Sequence, residues 1–241
     1  IMKYTLLFTL LMTASLQAFA APALTPAQEA RVQELVQETL LKHPEILAAA
    51  AEKLDQQSAE ASQQQLKSVI AQNSDFLYRD PNSPRIGAAK PRLTLVVFTD
   101  YNCPYCKKFD PYLEKIVAKY PDVAVVFKFL PYRSESSVTS ARDALTVWRA
   151  HPEQFMKFND LLMAKKGYHD DASIAQAKQK AGVVVNEPDS ESFETVKKSL
   201  ALAQQLGIQG TPATLIGDEM LSGWVPYEQF DAMVSDALKK Q

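Results

Sequence analysis

Cys103 and Cys106 are the only cysteines in the 241-residue sequence, and they stand together as Cys103-Pro104-Tyr105-Cys106. An apolar strand-like stretch, Leu93 to Phe98, precedes them, and a helix-like stretch, Lys107 to Lys119, follows. The chain must therefore hold a dithiol at a strand-to-helix turn. Two-residue spacing lets both sulfurs reach disulfide geometry within one turn. The helix N-terminus favours negative charge on the first sulfur. Cys103 is expected as the exposed, helix-capping sulfur that attacks. Cys106, one turn in, is expected as the buried sulfur that resolves a mixed disulfide. Pro104 in the first helical turn loses no hydrogen bond, and Tyr105 fills the slot whose side chain adjusts the thiolate's surroundings.

Making a cysteine about a thousandfold more acidic requires about 4 kcal/mol of thiolate stabilisation. A helix dipole supplies about 0.3–1 kcal/mol, at most about 2. The rest must come from hydrogen bonds to the sulfur, including those from the Cys106 amide and thiol. A plain stabilising disulfide is a poor alternative, because so short a loop gives only about 2 kcal/mol. Metal binding is a second alternative. The pair is half a zinc site, and His43, His151 and His169 lie far off without ligand spacing. Copper(I) at Cys103 and Cys106 would suit two soft thiolates.

The first residues read as a secretory signal, with Lys3, an apolar run from Leu6 to Leu16, and Ala18-Phe19-Ala20 before the expected cleavage. Export places the dithiol in an oxidising compartment, the periplasm, with no spare cysteines for a structural framework. Lysine plus arginine number 26 against 28 acids, a balance that offers no basic face for nucleic acid. Four segments follow: signal peptide 1–20, helical oligomerisation segment 21–54, polar helical linker 55–84, and catalytic domain 85–241 with a helical insertion at about 136–205. Thr25-Pro26-Ala27-Gln28 is a capping-box helix start. Val32, Leu35, Val36, Leu40 and Leu41 follow at helical spacing. His43-Pro44 interrupts them, and a second helix carries Ile46, Leu47, Ala50 and Leu54. Asp55 to Gln65 has helix formers with almost nothing to bury, and Asp80 to Pro84 is turn-rich.

From Arg85 strands and helices alternate, which argues an α/β fold. Strands are expected at Leu93–Phe98, Val123–Leu130, Ala213–Ile216 and Met220–Ser222. Helices are expected near Val138–Ala150, Pro152–Lys165, Ala172–Ala181, Ser190–Leu206 and Pro226–Lys239. Trp148, Phe155 and Phe158 should pack the insertion, and Trp224 the core. Lys107 and Lys108 read as a solvated helix face. Gly210-Thr211-Pro212-Ala213 lies at the entry to a strand. Together with the cysteine motif, this suggests a cis Thr211–Pro212 bond presenting its backbone edge to an extended peptide.

The residues Val97-Phe98-Thr99-Asp100-Tyr101-Asn102-Cys103-Pro104-Tyr105-Cys106 and Gly210-Thr211-Pro212-Ala213 resemble the bacterial DsbA/DsbC/DsbG group of thioredoxin-fold proteins, and most closely the suppressor of copper sensitivity C proteins. The resemblance spans about Pro91 to Gln241. It implies a thioredoxin fold with a helical insertion, Cys103 as nucleophile, Cys106 as resolving thiol, and Thr211-Pro212 as the cis-proline loop beside them. Threonine before that proline and Tyr105 before Cys106 are typical of the family's isomerase side. Many thioredoxin-like proteins carry a buried acid where this chain has Val97, which leaves Asp100 and Lys128 as candidate proton acceptors for Cys106.

An isomerase acting on misoxidised secreted proteins, linked to copper tolerance, is the expected activity. The alternatives are a monomeric DsbA-like oxidase and a copper(I)-binding or thiol-holding protein without turnover. No cofactor is expected. The apolar stripe of the N-terminal helices is too small for a core of its own, so it is expected to be buried by self-association, the alternative being folding back onto the catalytic domain. The resemblance implies a trimer and a membrane reductase of the DsbD/ScsB kind as redox partner. The polar stretch 55–65 would tether each catalytic domain to the assembly.

Overall fold

The first helix, α1 (Pro26–Lys42), begins at the capping box that Thr25 and Gln28 form, with Pro26 at its first position. His43-Pro44 then breaks the chain, because the residue before proline avoids helical torsions, and α2 (Glu45–Gln72) restarts. The computed structural model describes residues 24–184 and 187–241, so the expected signal segment lies outside the described residues. The chain divides into two units at Ala59/Glu60. In the first unit Val32, Leu35, Val36, Ile46, Leu47 and Leu54 are all exposed, and α1 buries nothing.

The second unit starts at Glu60, earlier than the expected domain start at Arg85. Val69 on α2 and Leu77 on α3 (Ser74–Tyr78) are buried, so the expected linker is held by core packing from Val69 onward. The polar stretch Asp55 to Gln65 is helical throughout, and on its second half Gln63 donates to the Asp218 carbonyl at 2.9 Å.

Five strands form one mixed sheet in the order β1-β3-β2-β4-β5. They are β1 (Arg85–Gly87), β2 (Leu93–Thr99), β3 (Val123–Phe129), β4 (Ala213–Ile216) and β5 (Glu219–Ser222). The pair β2–β3 is parallel and crosses over through α4 (Pro104–Lys119); the other pairs are antiparallel. Side chains alternate along β2. Leu93, Leu95 and Val97 join a cluster with Phe109, Phe158 and Phe230, whereas Val96 and Phe98 join another with Leu77, Leu202 and Leu215. Burial on both faces explains why β2 and β3 read as continuous apolar runs. Each fully buried Phe or Leu contributes about 1.5–3 kcal/mol.

The sequence gives no hint of β1. Its three residues follow a turn-rich stretch, and pairing with β3 defines it as a strand. Gly87 is required there: its φ is 88°, and a Cβ would lie 2.4 Å from the Val123 carbonyl oxygen.

The insertion between β3 and β4 consists of α5 (Glu135–Ala150), α6 (Pro152–Ala164), α7 (Asp171–Ala181) and α8 (Ser190–Gln205); α9 (Tyr227–Lys239) closes the chain. Trp148 packs edge-on against Phe155, with centroids 5.7 Å apart, and its indole N–H donates to the Pro81 carbonyl at 2.9 Å. Lys128 on β3 is buried among the residues that precede β1. Its ammonium donates to the Phe76 carbonyl and to Ser83 Oγ at 2.7 Å, and it faces Asp80 at 3.4 Å. Burial pushes its pKa down to about 8 against the pull of Asp80. Lys128 is committed to that segment and is not placed as a proton acceptor for Cys106.

Candidate active site

The strand β2 ends at Thr99, the chain turns through Asp100-Tyr101-Asn102, and Cys103 becomes the N-cap of α4 with Pro104 in its first turn. Thr211-Pro212, leading into β4, lies against this turn through a cis peptide bond. The Cys103 thiol donates to the Thr211 carbonyl at 3.2 Å. Both cysteines are free thiols. Tyr105 is 56% exposed.

One expectation needs correcting. Cys103 is not exposed: its accessible surface is 0%, with the Thr211 carbonyl and the Arg133 guanidinium against its sulfur. The asymmetry between the sulfurs survives in their surroundings. The Cys103 pKa is lowered to about 5, first by a hydrogen bond from the Cys106 thiol, then by Thr211 and by the Cys106 and Tyr105 amides, with burial opposing. Ionisation therefore exchanges the thiol's bond to the Thr211 carbonyl for donors that converge on the sulfur. As the sequence argument requires, hydrogen bonds are the main stabilisers.

Cys106 is pushed the other way. Burial raises its pKa most, followed by its hydrogen bond to Cys103 and the Cys103 charge, while the hydroxyls of Thr99 and Thr211 lower it. The second and third of the raising causes vanish when Cys103 is bonded to another sulfur. Capture of a partner at Cys103 thus makes the Cys106 thiol easier to ionise, a relay that needs no acid at Val97.

Asp100 does not serve as the proton acceptor. Its buried carboxylate already accepts from the Asn102 amide at 2.8 Å, the Ser137 hydroxyl at 2.7 Å, and the Tyr132 and Arg133 amides at 2.9 and 3.2 Å. It pins the turn to the start of the insertion. Asn102 extends the clamp: its amide nitrogen lies 2.8–3.0 Å from the hydroxyls of Ser134, Ser136 and Ser137, and its oxygen accepts from the His169 amide at 2.7 Å. Arg133 places a guanidinium nitrogen 3.9 Å from Cys103 Sγ. The sequence signals only the local half of this clamp, an acid two residues before an amide at a turn; the other partners lie more than 30 residues away.

Lys107 is also more than a solvated helix face. Its ammonium donates to the carbonyls of Lys165 and Gly167 at 2.5 and 2.7 Å, which ties α4 to the loop after α6. Trp224 packs against the main core cluster, with the Lys108 ammonium 4.3 Å above its ring.

Residues 94–235 match the family described as DSBA-like thioredoxin domain. The chain belongs to the DSBA-like thioredoxin family. Residues 28–61 match a second description, Copper resistance protein ScsC N-terminal domain, which places this DSBA-like chain with the ScsC proteins. A periplasmic thioredoxin-like protein from Salmonella enterica serovar Typhimurium is 57% identical, with 69% of this chain and 95% of that one covered and a TM-score of 0.68. A linker-deletion variant of Proteus mirabilis ScsC is 44% identical, with 92% and 100% covered and a TM-score of 0.74. Disulfide bond formation protein D of Bacillus subtilis is 26% identical over 186 residues, 70% of this chain and 84% of that one. As a DSBA-like protein carrying a free, polarised dithiol, the chain is a thiol-disulfide oxidoreductase.

For copper(I) the two sulfurs are the donors at hand. Among the described residues no group of three or more His, Cys, Asp or Glu side chains is placed to hold a metal ion. No described helix is long and apolar enough to cross a membrane.

Proposed function

We propose that the protein is a periplasmic disulfide isomerase that works as a homo-oligomer, a trimer, on misoxidised secreted proteins, and that it is kept reduced by a membrane thiol reductase of the DsbD/ScsB kind. Cys103 is the nucleophile: its thiolate attacks a substrate sulfur, forms a mixed disulfide and expels the other substrate sulfur as a thiolate. That thiolate attacks another substrate disulfide, and the thiolate so freed displaces Cys103 and regenerates it; otherwise Cys106 attacks Cys103, expels the substrate sulfur as a thiolate and leaves a Cys103–Cys106 disulfide. Thr211-Pro212 presents its backbone edge to the substrate, and Pro104 and Tyr105 shape the mouth. Reshuffling disulfides that copper has formed in wrong pairings is the link to copper tolerance.

The observation that carries the isomerase reading is the bare apolar stripe of α1 and early α2, where Val36 is 53% and Leu54 63% exposed. Burial against other copies removes that surface from water and sets several dithiols around one substrate, which raises their effective concentration. The 55–65 stretch acts as tether because it buries almost nothing. Truncation to residues 60–241 is expected to give a monomer by light scattering. It should keep dithiol exchange on a small disulfide while losing at least about tenfold in reactivation of scrambled ribonuclease. Unchanged mass and unchanged reactivation would overturn the reading.

One observation favours a second reading, the monomeric DsbA-like oxidase. A Cys103 pKa of about 5 lies below the unfolded value near 8.5. The dithiol form is therefore stabilised above about pH 8.5 in full, and this stabilisation is lost as pH falls through 5. The disulfide form gains nothing from it, which makes the couple oxidising.

A further inference from the structure

Beside the cysteines, between the head of α4 and the loop that follows α6, lies a groove of about 480 Å³ lined by Asn102, Pro104, Met163, Tyr168 and four lysines. The lysines are Lys107, Lys108, Lys165 and Lys166, and no acid lines the groove with them. None of the four takes part in an ion pair among the described residues. Lys107 and Lys165 are held by neutral carbonyls, those of Lys165 and Gly167 for the first and of Lys166 and Tyr168 for the second. Neutral acceptors satisfy the ammonium protons without an ion pair; Asp100 and the two cysteines act on Lys107, and Lys165 on Asp170, only through their fields. Lys108 and Lys166 are exposed.

The nearest acids are engaged elsewhere. Asp100 is filled by four donors, and Asp170 caps α7 through the Ser173 amide at 2.8 Å. Asp110, Glu114 and Asp160 line the neighbouring groove, which Lys107, Met163 and Ala164 share, so Lys108, Lys165 and Lys166 are the lysines that belong to this groove alone. In a chain with more acids than bases, four lysines without an ion pair on one side of the dithiol are an unexpected concentration of charge. Thiolate stabilisation does not account for all four: Lys107 feels the cysteine charge, but the leading stabilisers of ionised Cys103 are Cys106, Thr211 and main-chain amides. Aromatic and apolar surface from Tyr168, Pro104 and Met163 lines the same groove, so it suits a polypeptide segment better than a bare ion.

We propose that this groove is a substrate subsite that seats acidic side chains next to the target cysteine, so that the protein prefers disulfides flanked by Asp or Glu. The inference rests on the exchange activity proposed above and names the substrate class that activity selects. The attractive field acts on encounter: it draws in an acidic segment and presents its sulfur to Cys103.

The test uses the full-length reduced protein and two short peptides, each carrying one cysteine as a pyridyl mixed disulfide. One has two glutamates beside the cysteine and the other two glutamines. The Cys103 thiolate attacks the peptide sulfur, a Cys103–peptide disulfide forms, and the pyridinethiolate expelled takes a proton from water to give pyridinethione, read by absorbance. At low salt the acidic peptide is expected to react about five- to tenfold faster, with the ratio falling toward one in high salt. In a Lys108→Glu/Lys166→Glu variant the ratio should collapse, and a peptide with lysines beside the cysteine should become the faster substrate. Equal wild-type rates for the glutamate and glutamine peptides at low salt would overturn the subsite and leave the exchange reading standing. Failure of both peptides to release pyridinethione would overturn the exchange reading itself, and the subsite with it.

Discussion

Replacing Cys106 with alanine is expected to convert the protein from a catalyst into a trap and, in the same step, to blunt its nucleophile. The Cys106 thiol is the largest stabiliser of ionised Cys103. A hydrogen bond to a charged group contributes about 1.5–3 kcal/mol, so its removal should raise the Cys103 pKa from about 5 by at least one unit. The second effect is larger. Without Cys106 the protein has no thiol of its own to release the Cys103–substrate disulfide, which persists wherever no substrate thiolate reaches it, and an adjacent thiol has an effective concentration far above that of any thiol in solution. Turnover should fall at least about a thousandfold, while covalent adducts with reduced-then-oxidised ribonuclease accumulate on non-reducing gels. An unchanged Cys103 titration or an absence of adducts would contradict the role given to Cys106.

Asp110→Asn is expected to stabilise the protein, and only above acidic pH. Asp110 sits on α4 with 7% of its surface exposed, and burial raises its pKa to about 7 despite two contacts from the Asn159 amide at 3.3 and 3.2 Å. The nearby acids Glu114 and Asp160 raise it further. Because the folded pKa exceeds the unfolded value near 3.9, the contribution of Asp110 to stability is complete below about pH 4 and is lost as pH rises through 7. The neutral amide escapes that loss and keeps a carbonyl for Asn159. A gain of about 2–4 kcal/mol at pH 8 that vanishes near pH 4, measured by urea unfolding, is expected. Destabilisation at pH 8 would show that Asp110 is held by partners other than those described.

The parts of this molecule that depend on local pattern were legible before its structure. Cys103 to Cys106 marks the turn, the apolar runs mark β2 and β3, and Thr25 with Gln28 marks the start of α1. Helix boundaries across the insertion agree to within three residues at each end, because caps such as Ser134, Asp170 and Asp189 are local too. What the sequence hid depends on distant pairing. The strand β1 exists through Ile86 opposite Val125, and Lys128 is explained only by Phe76, Asp80 and Ser83. The clamp around Asp100 and Asn102 joins the turn to hydroxyls and amides of the insertion that no motif announces. The burial of Cys103 was missed for the same reason: helix capping tells which end a sulfur occupies, and the covering chain comes from elsewhere.

Every step above begins with a deprotonated sulfur at residue 103 under neutral conditions. The decisive measurement is the rate of Cys103 alkylation by iodoacetamide in the reduced wild-type protein across pH 3 to 10. A rise centred near pH 5, with a plateau through neutrality, is the expected result. A single rise centred near 8.5, the ordinary value for a free cysteine, would contradict the account at its root.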